Sequence, residues 1–153
     1  MLVKTYGAAV FGIDATTITV EVNLSSGINF FLVGLPDSAV KESQQRIKAA
    51  FTNNDYRYPG KEITVNMAPA DIRKEGSVFD LTIAMGILAA SEQVPSERFG
   101  EYLLLGELSL DGRLNPLTGA LPIALNAKRE GFKGVILREG NAQEAARVDE
   151  IEV

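Results

Sequence analysis

The first third of the chain alternates apolar and polar positions with period two, then changes to helical spacing. Val3 to Phe11 and the clean run Ile18-Thr19-Val20-Glu21-Val22-Asn23-Leu24 predict two strands. Ser25-Ser26-Gly27 is a turn cluster and Ile28 to Val33 predicts a third strand, giving an antiparallel meander of three. Gly34-Leu35-Pro36-Asp37 breaks the pattern. Beyond it, Val40, Ser43, Ile47, Ala50 and Phe51 fall on one face of a helix. Asp37 or Ser38 caps that helix and Asn53-Asn54-Asp55 ends it, while Lys41, Gln45 and Lys48 share another face. Pro59-Gly60 then turns the chain into a strand from Glu62 to Met67.

The stretch after Gly76 is different. Leu81, Ala84, Met85 and Leu88 make one apolar face and Phe79, Ile83 and Ile87 a second, so this helix is predicted to be buried all round. Ser77 and Asp80 have the spacing of a capping box at its start. Glu101 to Leu108 predicts a strand whose apolar middle, Tyr102-Leu103-Leu104-Leu105, places it centrally in a sheet. Leu110-Asp111-Gly112-Arg113-Leu114 predicts a hairpin with a two-residue type I′ turn, and Pro116 ends its second strand. A helix follows over Leu121 to Glu130, with Pro122 in its first turn and Gly131 as its stop. Gly134 to Leu137 predicts a strand, Asn141-Ala142-Gln143-Glu144 a second capping box on a short helix, and Ile151-Glu152-Val153 the start of a last strand. This mixture predicts an α+β fold, a mixed sheet packed with helices around one central buried helix. The length of 153 residues predicts a single domain over 1–153.

Composition narrows the chemistry. The chain has no Cys and no His, which removes disulfides, the usual zinc sites, the commonest general base and any thiol nucleophile. No 18-residue apolar run exists, so no transmembrane helix is expected, and a Cys-free chain fits a reducing compartment such as the cytoplasm. No phosphate loop is present, since Gly60-Lys61 is followed by Glu62. A net charge of −5 argues against a domain devoted to nucleic acid, although Lys41, Lys48, Arg73, Lys74 and Arg113 are candidates for a local basic contact patch. Asp71, Glu75 and Asp80 cluster around the central loop but read better as cap and solvated charges than as magnesium ligands.

Three blocks carry a resemblance. They are Val33-Gly34-Leu35-Pro36-Asp37-Ser38-Ala39-Val40-Lys41-Glu42-Ser43, then Asn66-Met67-Ala68-Pro69-Ala70-Asp71 with Lys74-Glu75-Gly76 behind it, and Leu105-Gly106-Glu107-Leu108-Ser109-Leu110-Asp111-Gly112. In this order they resemble the N-terminal domain of the ComM/YifB family of Mg chelatase-like AAA+ ATPases. The resemblance implies a Lon-protease-like fold, shared with the second domain of ribosomal protein S-five. It also implies that the chain is a fragment of a longer protein. ATP and magnesium would then be bound by a missing downstream ATPase module, with that module and sister subunits of a hexamer as partners, and DNA as a further one.

The Lon likeness also tests for peptidase chemistry. Lon's nucleophile sits in a Lys-Asp-Gly-Pro-Ser-Ala-Gly motif, opposite which stands Lys74-Glu75-Gly76-Ser77-Val78-Phe79-Asp80. Val78 then fills the nucleophile's place, and the helix after Pro116-Leu117-Thr118-Gly119 carries no Lys before Lys128. Ser77 with Lys74 is the residual catalytic candidate. The expectation is a non-catalytic accessory domain, serving assembly or contact with a partner or DNA in DNA processing, branch migration or competence. The alternatives are a divergent Lon-type serine peptidase and a DNA-binding module. Truncating Ile83 or Leu88 to Ala in the predicted buried helix is expected to cost about 2–5 kcal/mol in chemical denaturation.

Overall fold

A computed structural model describes residues 1–153. Strands β1 (Leu2–Phe11) and β2 (Asp14–Ser25) form a long antiparallel hairpin, pairing from Leu2 with Asn23 to Phe11 with Asp14. Strand β4 (Glu62–Ala68) pairs antiparallel with β2, and β3 (Phe30–Val33) pairs parallel with β4 at the edge, so the sheet order is β1-β2-β4-β3. The meander therefore stops at two strands. An apolar run such as Ile28 to Val33 encodes burial but not which neighbour supplies it, and here helices α1 (Ser38–Lys41) and α2 (Ser43–Asn53) carry the chain over to β4. They stand where one helix was predicted, divided at Glu42. The expected face is nonetheless inside, with Val40, Ser43, Ile47, Ala50 and Phe51 all buried.

Helix α3 (Asp80–Ala90) is the buried helix, with nine of its eleven residues inside. It packs on the sheet face that presents Thr5, Gly7, Val20 and Val22. Thr5 Oγ1 donates to the Thr82 carbonyl at 2.8 Å, and Gly86 lies so close to Val22 that an added Cβ would meet it at 2.6 Å. Adjacent strand residues point to opposite faces, so Thr17 looks away from α3. There α4 (Ala120–Arg129) covers the sheet, and Asn126 Nδ2 donates to Thr17 Oγ1 at 2.9 Å. Thirty-two buried residues drawn from both faces make one continuous core.

The predicted strand over Glu101 to Leu108 divides at Leu105-Gly106. Its first half, β5 (Tyr102–Leu104), forms only a two-stranded parallel sheet with β8 (Gly134–Ile136), beside which Glu152 adds a parallel bridge. It is not central in a large sheet; packing against β1 and α3 buries its apolar run. The second half, β6 (Glu107–Leu108), pairs with β7 (Leu114–Asn115). That hairpin exists, but its turn has three residues. The Gly112 N–H closes on the Ser109 carbonyl at 2.9 Å, and Gly112 has a φ of 91° while Asp111 stays out of the left-handed region. A type I′ turn would need both residues there. Helix α5 (Ala142–Ala145) is not opened by a capping box. The Asn141 side chain instead brackets Leu117, accepting from its N–H at 3.1 Å and donating to its carbonyl at 2.9 Å.

The expected box on α3 is also replaced. Phe79 occupies the cap position without a side-chain bond. Asp80 is 1% exposed and points inward, accepting from Arg46 Nε at 2.6 Å, Arg46 Nη2 at 2.9 Å and the Leu108 N–H at 3.0 Å. Burial pushes the Asp80 carboxyl up, and the three donors pull it back toward the charged form. Arg46 is held charged above its usual value, chiefly by its hydrogen bond to Asp80. Removing one member of a buried pair strands the other. Arg46→Ala is therefore expected to cost about 3–5 kcal/mol in urea denaturation, and Arg46→Met combined with Asp80→Leu to restore much of it.

Candidate functional site at the head of the buried helix

A cleft of about 330 Å³ opens where the end of β1, the loop before α3 and the segment after β7 converge. Arg73, Glu75, Ser77, Glu107 and Thr118 line its polar side; Val78 and Ile123 are among its apolar lining. The loop from Pro69 to Gly76 is placed by a set of bonds to the chain after β3. The Lys74 N–H donates to the Leu35 carbonyl at 3.0 Å, and the Lys74 carbonyl accepts from the Asp37 N–H at 2.9 Å. Asp37 caps α1 as predicted, accepting from the Val40 N–H at 2.8 Å, while its second oxygen takes the Gly76 N–H at 3.0 Å. Gly34, the residue after β3, lies close against β4. Its φ is 105°, and a Cβ there would lie 2.1 Å from the Met67 carbonyl oxygen.

The candidate residues separate within this frame. Lys74 has no exposed surface, and its ammonium donates to the Gly34 carbonyl at 2.7 Å and to the Pro69 carbonyl. Burial lowers its pKa, opposed by the nearby Asp71 carboxylate. It is thus an internal tie and corrects the expectation of a partner-contacting Lys74. Ser77 does not cap α3 and does not meet Lys74; its hydroxyl donates to the Glu107 carboxylate. Glu107 also accepts from Asn115 Nδ2 at 2.8 Å. These two hydrogen bonds, from Ser77 first and Asn115 second, hold the Glu107 carboxyl below the usual carboxylate range. A carboxylate so readily ionised is a poor general base at neutral pH.

Of the other cations, Arg73 lies exposed at the cleft and pairs with Glu75 at 3.3 Å. Arg113 stands on the hairpin turn beside Asp111 at 3.6 Å. Lys41 and Lys48 are exposed on α1 and α2, and Lys48 lies over the Tyr58 ring at 5.5 Å. Asp71 and Glu75 are exposed while Asp80 is internal, so the three carboxylates share no site. Glu107, Asn115 and Arg46 went unmarked by the sequence reading. The one available signal was an acid at 107 between apolar neighbours of a predicted strand.

The family described as subunit ChlI of Mg-chelatase matches residues 20–141 of the chain. An uncharacterized protein of Mycobacterium tuberculosis is 42% identical over 151 residues, which is 98% of this chain and 30% of that protein. Competence protein ComM of Haemophilus influenzae is 44% identical over 95% of this chain and 28% of its own length. YifB of Escherichia coli is 44% identical over 92% of this chain and 28% of its own. The chain therefore spans less than a third of these relatives. Lon protease of Mycoplasma mobile is 27% identical over 95% of this chain and 18% of its own length, in keeping with the Lon-like α+β architecture.

Glu107 gives the site a pH signature. A carboxyl depressed on folding stabilises above its unfolded pKa, and that contribution is lost as pH falls through the folded value, which here lies below the ordinary one. Ser77→Ala removes the first of its donors. The acid-unfolding midpoint, followed by circular dichroism, is expected to move to higher pH in Ser77→Ala and to be unchanged in the exposed control Thr118→Ala.

Proposed function

The chain belongs to the family of subunit ChlI of Mg-chelatase, and from that premise we propose that it is a non-catalytic N-terminal accessory domain of a cytoplasmic AAA+ ATPase. The observation that carries this reading is the commitment of both dyad candidates elsewhere. The Ser77 hydroxyl is engaged by a carboxylate of depressed pKa, and the Lys74 ammonium by two carbonyl oxygens. A Ser–Lys nucleophile needs the two within hydrogen-bond reach and the Lys neutral and free to accept. Val78 stands at the position that the Lon motif gives its nucleophile, and it is packed against the core.

In this reading ATP and magnesium bind the downstream module of the parent protein, which works as a hexamer of sister subunits. The domain contributes assembly and partner contacts rather than a reaction. The name of the Haemophilus relative, competence protein, supports a parent acting on DNA. A second reading, a DNA-contacting module, is favoured by the exposure of Lys41 and Lys48.

The purified chain is expected to cleave neither an unfolded protein nor fluorogenic peptides, and to turn over no ATP with magnesium. Peptide hydrolysis abolished by Ser77→Ala would overturn the reading, as would magnesium-dependent ATP turnover by the chain itself.

A further inference from the structure

At the opposite end of α3 from the cleft, the sign of the charge reverses. Two hollows of about 590 and 300 Å³ meet across the segment Tyr58 to Lys61, which lines both. Their charged side chains are Lys48, Arg57 and Lys61 against one acid, Glu92. The whole chain, by contrast, carries 15 basic and 20 acidic residues. All three cations are exposed, and none takes part in any of the six ion pairs of the structure.

Cations near a helix C-terminus often serve the helix itself. That account fails for Arg57, whose guanidinium donates to nothing. What holds its loop is the Gln93 side chain. Gln93 Oε1 accepts from the Arg57 N–H at 2.9 Å, and Gln93 Nε2 donates to the Arg57 carbonyl at 2.8 Å. Gln44 Nε2 donates to the Tyr58 hydroxyl at 3.3 Å on the other side. The backbone is fixed from α2 and from the end of α3, while the charges it displays stay unpaired.

We propose that this groove binds the phosphodiester backbone of single-stranded DNA through Lys48, Arg57 and Lys61. It rests on the DNA-contacting reading above but moves the contact away from Arg73, Lys74 and Arg113, two of which are neutralised by neighbours and one of which is internal. Arg57 lines one hollow, Lys48 the other and Lys61 both, so a flexible single strand crossing the segment passes its phosphates by all three cations. Tyr56, 41% exposed beside Arg57, offers an aromatic face for a base. Phe51 packs against both tyrosines at 6.2 Å, but Tyr58 is less exposed than Tyr56 and Lys48 covers one side of its ring.

The test is fluorescence anisotropy of the 153-residue chain with a labelled oligothymidine across a salt series. Binding should fall linearly with log salt, and the combined substitution Lys48→Gln, Arg57→Gln and Lys61→Gln should lower that slope by about 2 and weaken binding at least tenfold. These side chains are exposed, so the variant should keep the wild-type melting temperature. The control Lys4→Gln with Lys128→Gln, two exposed cations outside the groove, should leave binding unchanged. An unchanged slope in the triple variant, equal loss in the control, tighter binding of a duplex, or no binding at the lowest salt would each overturn the proposal. None of these outcomes touches the hydrolysis and ATP assays on which the accessory-domain reading depends.

Discussion

Asp80 is the point on which three pieces of the chain depend. Its carboxylate is taken out of water and receives all its compensation from α2, through Arg46, and from β6, through the Leu108 N–H. Arg46 Nη2 also donates to the Ala39 carbonyl at 2.8 Å, so the same guanidinium ties α1 in. A charge buried without these partners is costly enough to be avoided. The pair therefore selects one mutual placement of α2, α3 and the β6–β7 hairpin, and that placement brings Glu107 against Ser77. The cleft follows from a structural ion pair rather than from an arrangement of reactive groups.

Lys74 acts in the same way on the loop before α3. An ammonium with no exposed surface needs acceptors, and the Gly34 and Pro69 carbonyls supply them from two segments that would otherwise be separate. The glycine at 34 answers to a different neighbour, since with its φ of 105° a Cβ would collide with the Met67 carbonyl oxygen of β4. Two residues of the sort that attract a catalytic reading, an acid at 80 and a lysine at 74, are spent on holding backbone.

Much of the fold was legible because period and polarity are local. The β1–β2 hairpin, the inward face of α2, the all-round burial of α3 and the extent of α4 each follow from spacing within one element. What failed depended on a partner distant in sequence. Ser77 and Asp80 have the spacing of a cap whether or not an arginine 34 positions away claims the acid. Ile28 to Val33 and Tyr102 to Leu105 are apolar whichever strand lies beside them, so the parallel edge position of β3 and the division at Gly106 could not be read from either run. The site shows the same limit. Lys74 looks like a surface cation in sequence, and only the carbonyls around it reveal that it is not.

Helix α3 thus has two unlike ends. At its head, Ser77, Glu107 and Asn115 are satisfied by one another. A closed polar network of this kind has little left with which to bind or transform a ligand, since each donor already has an acceptor. At its tail, the arrangement is reversed. Gln93 and Gln44 satisfy the backbone and the tyrosine hydroxyl, and the cations at 48, 57 and 61 are left without acid partners. Interaction free energy remains available only where groups are held in place yet unpaired in the free protein. On that ground the proposed contact falls at the tail of α3, where cations are held in place without acid partners, and not at the cleft.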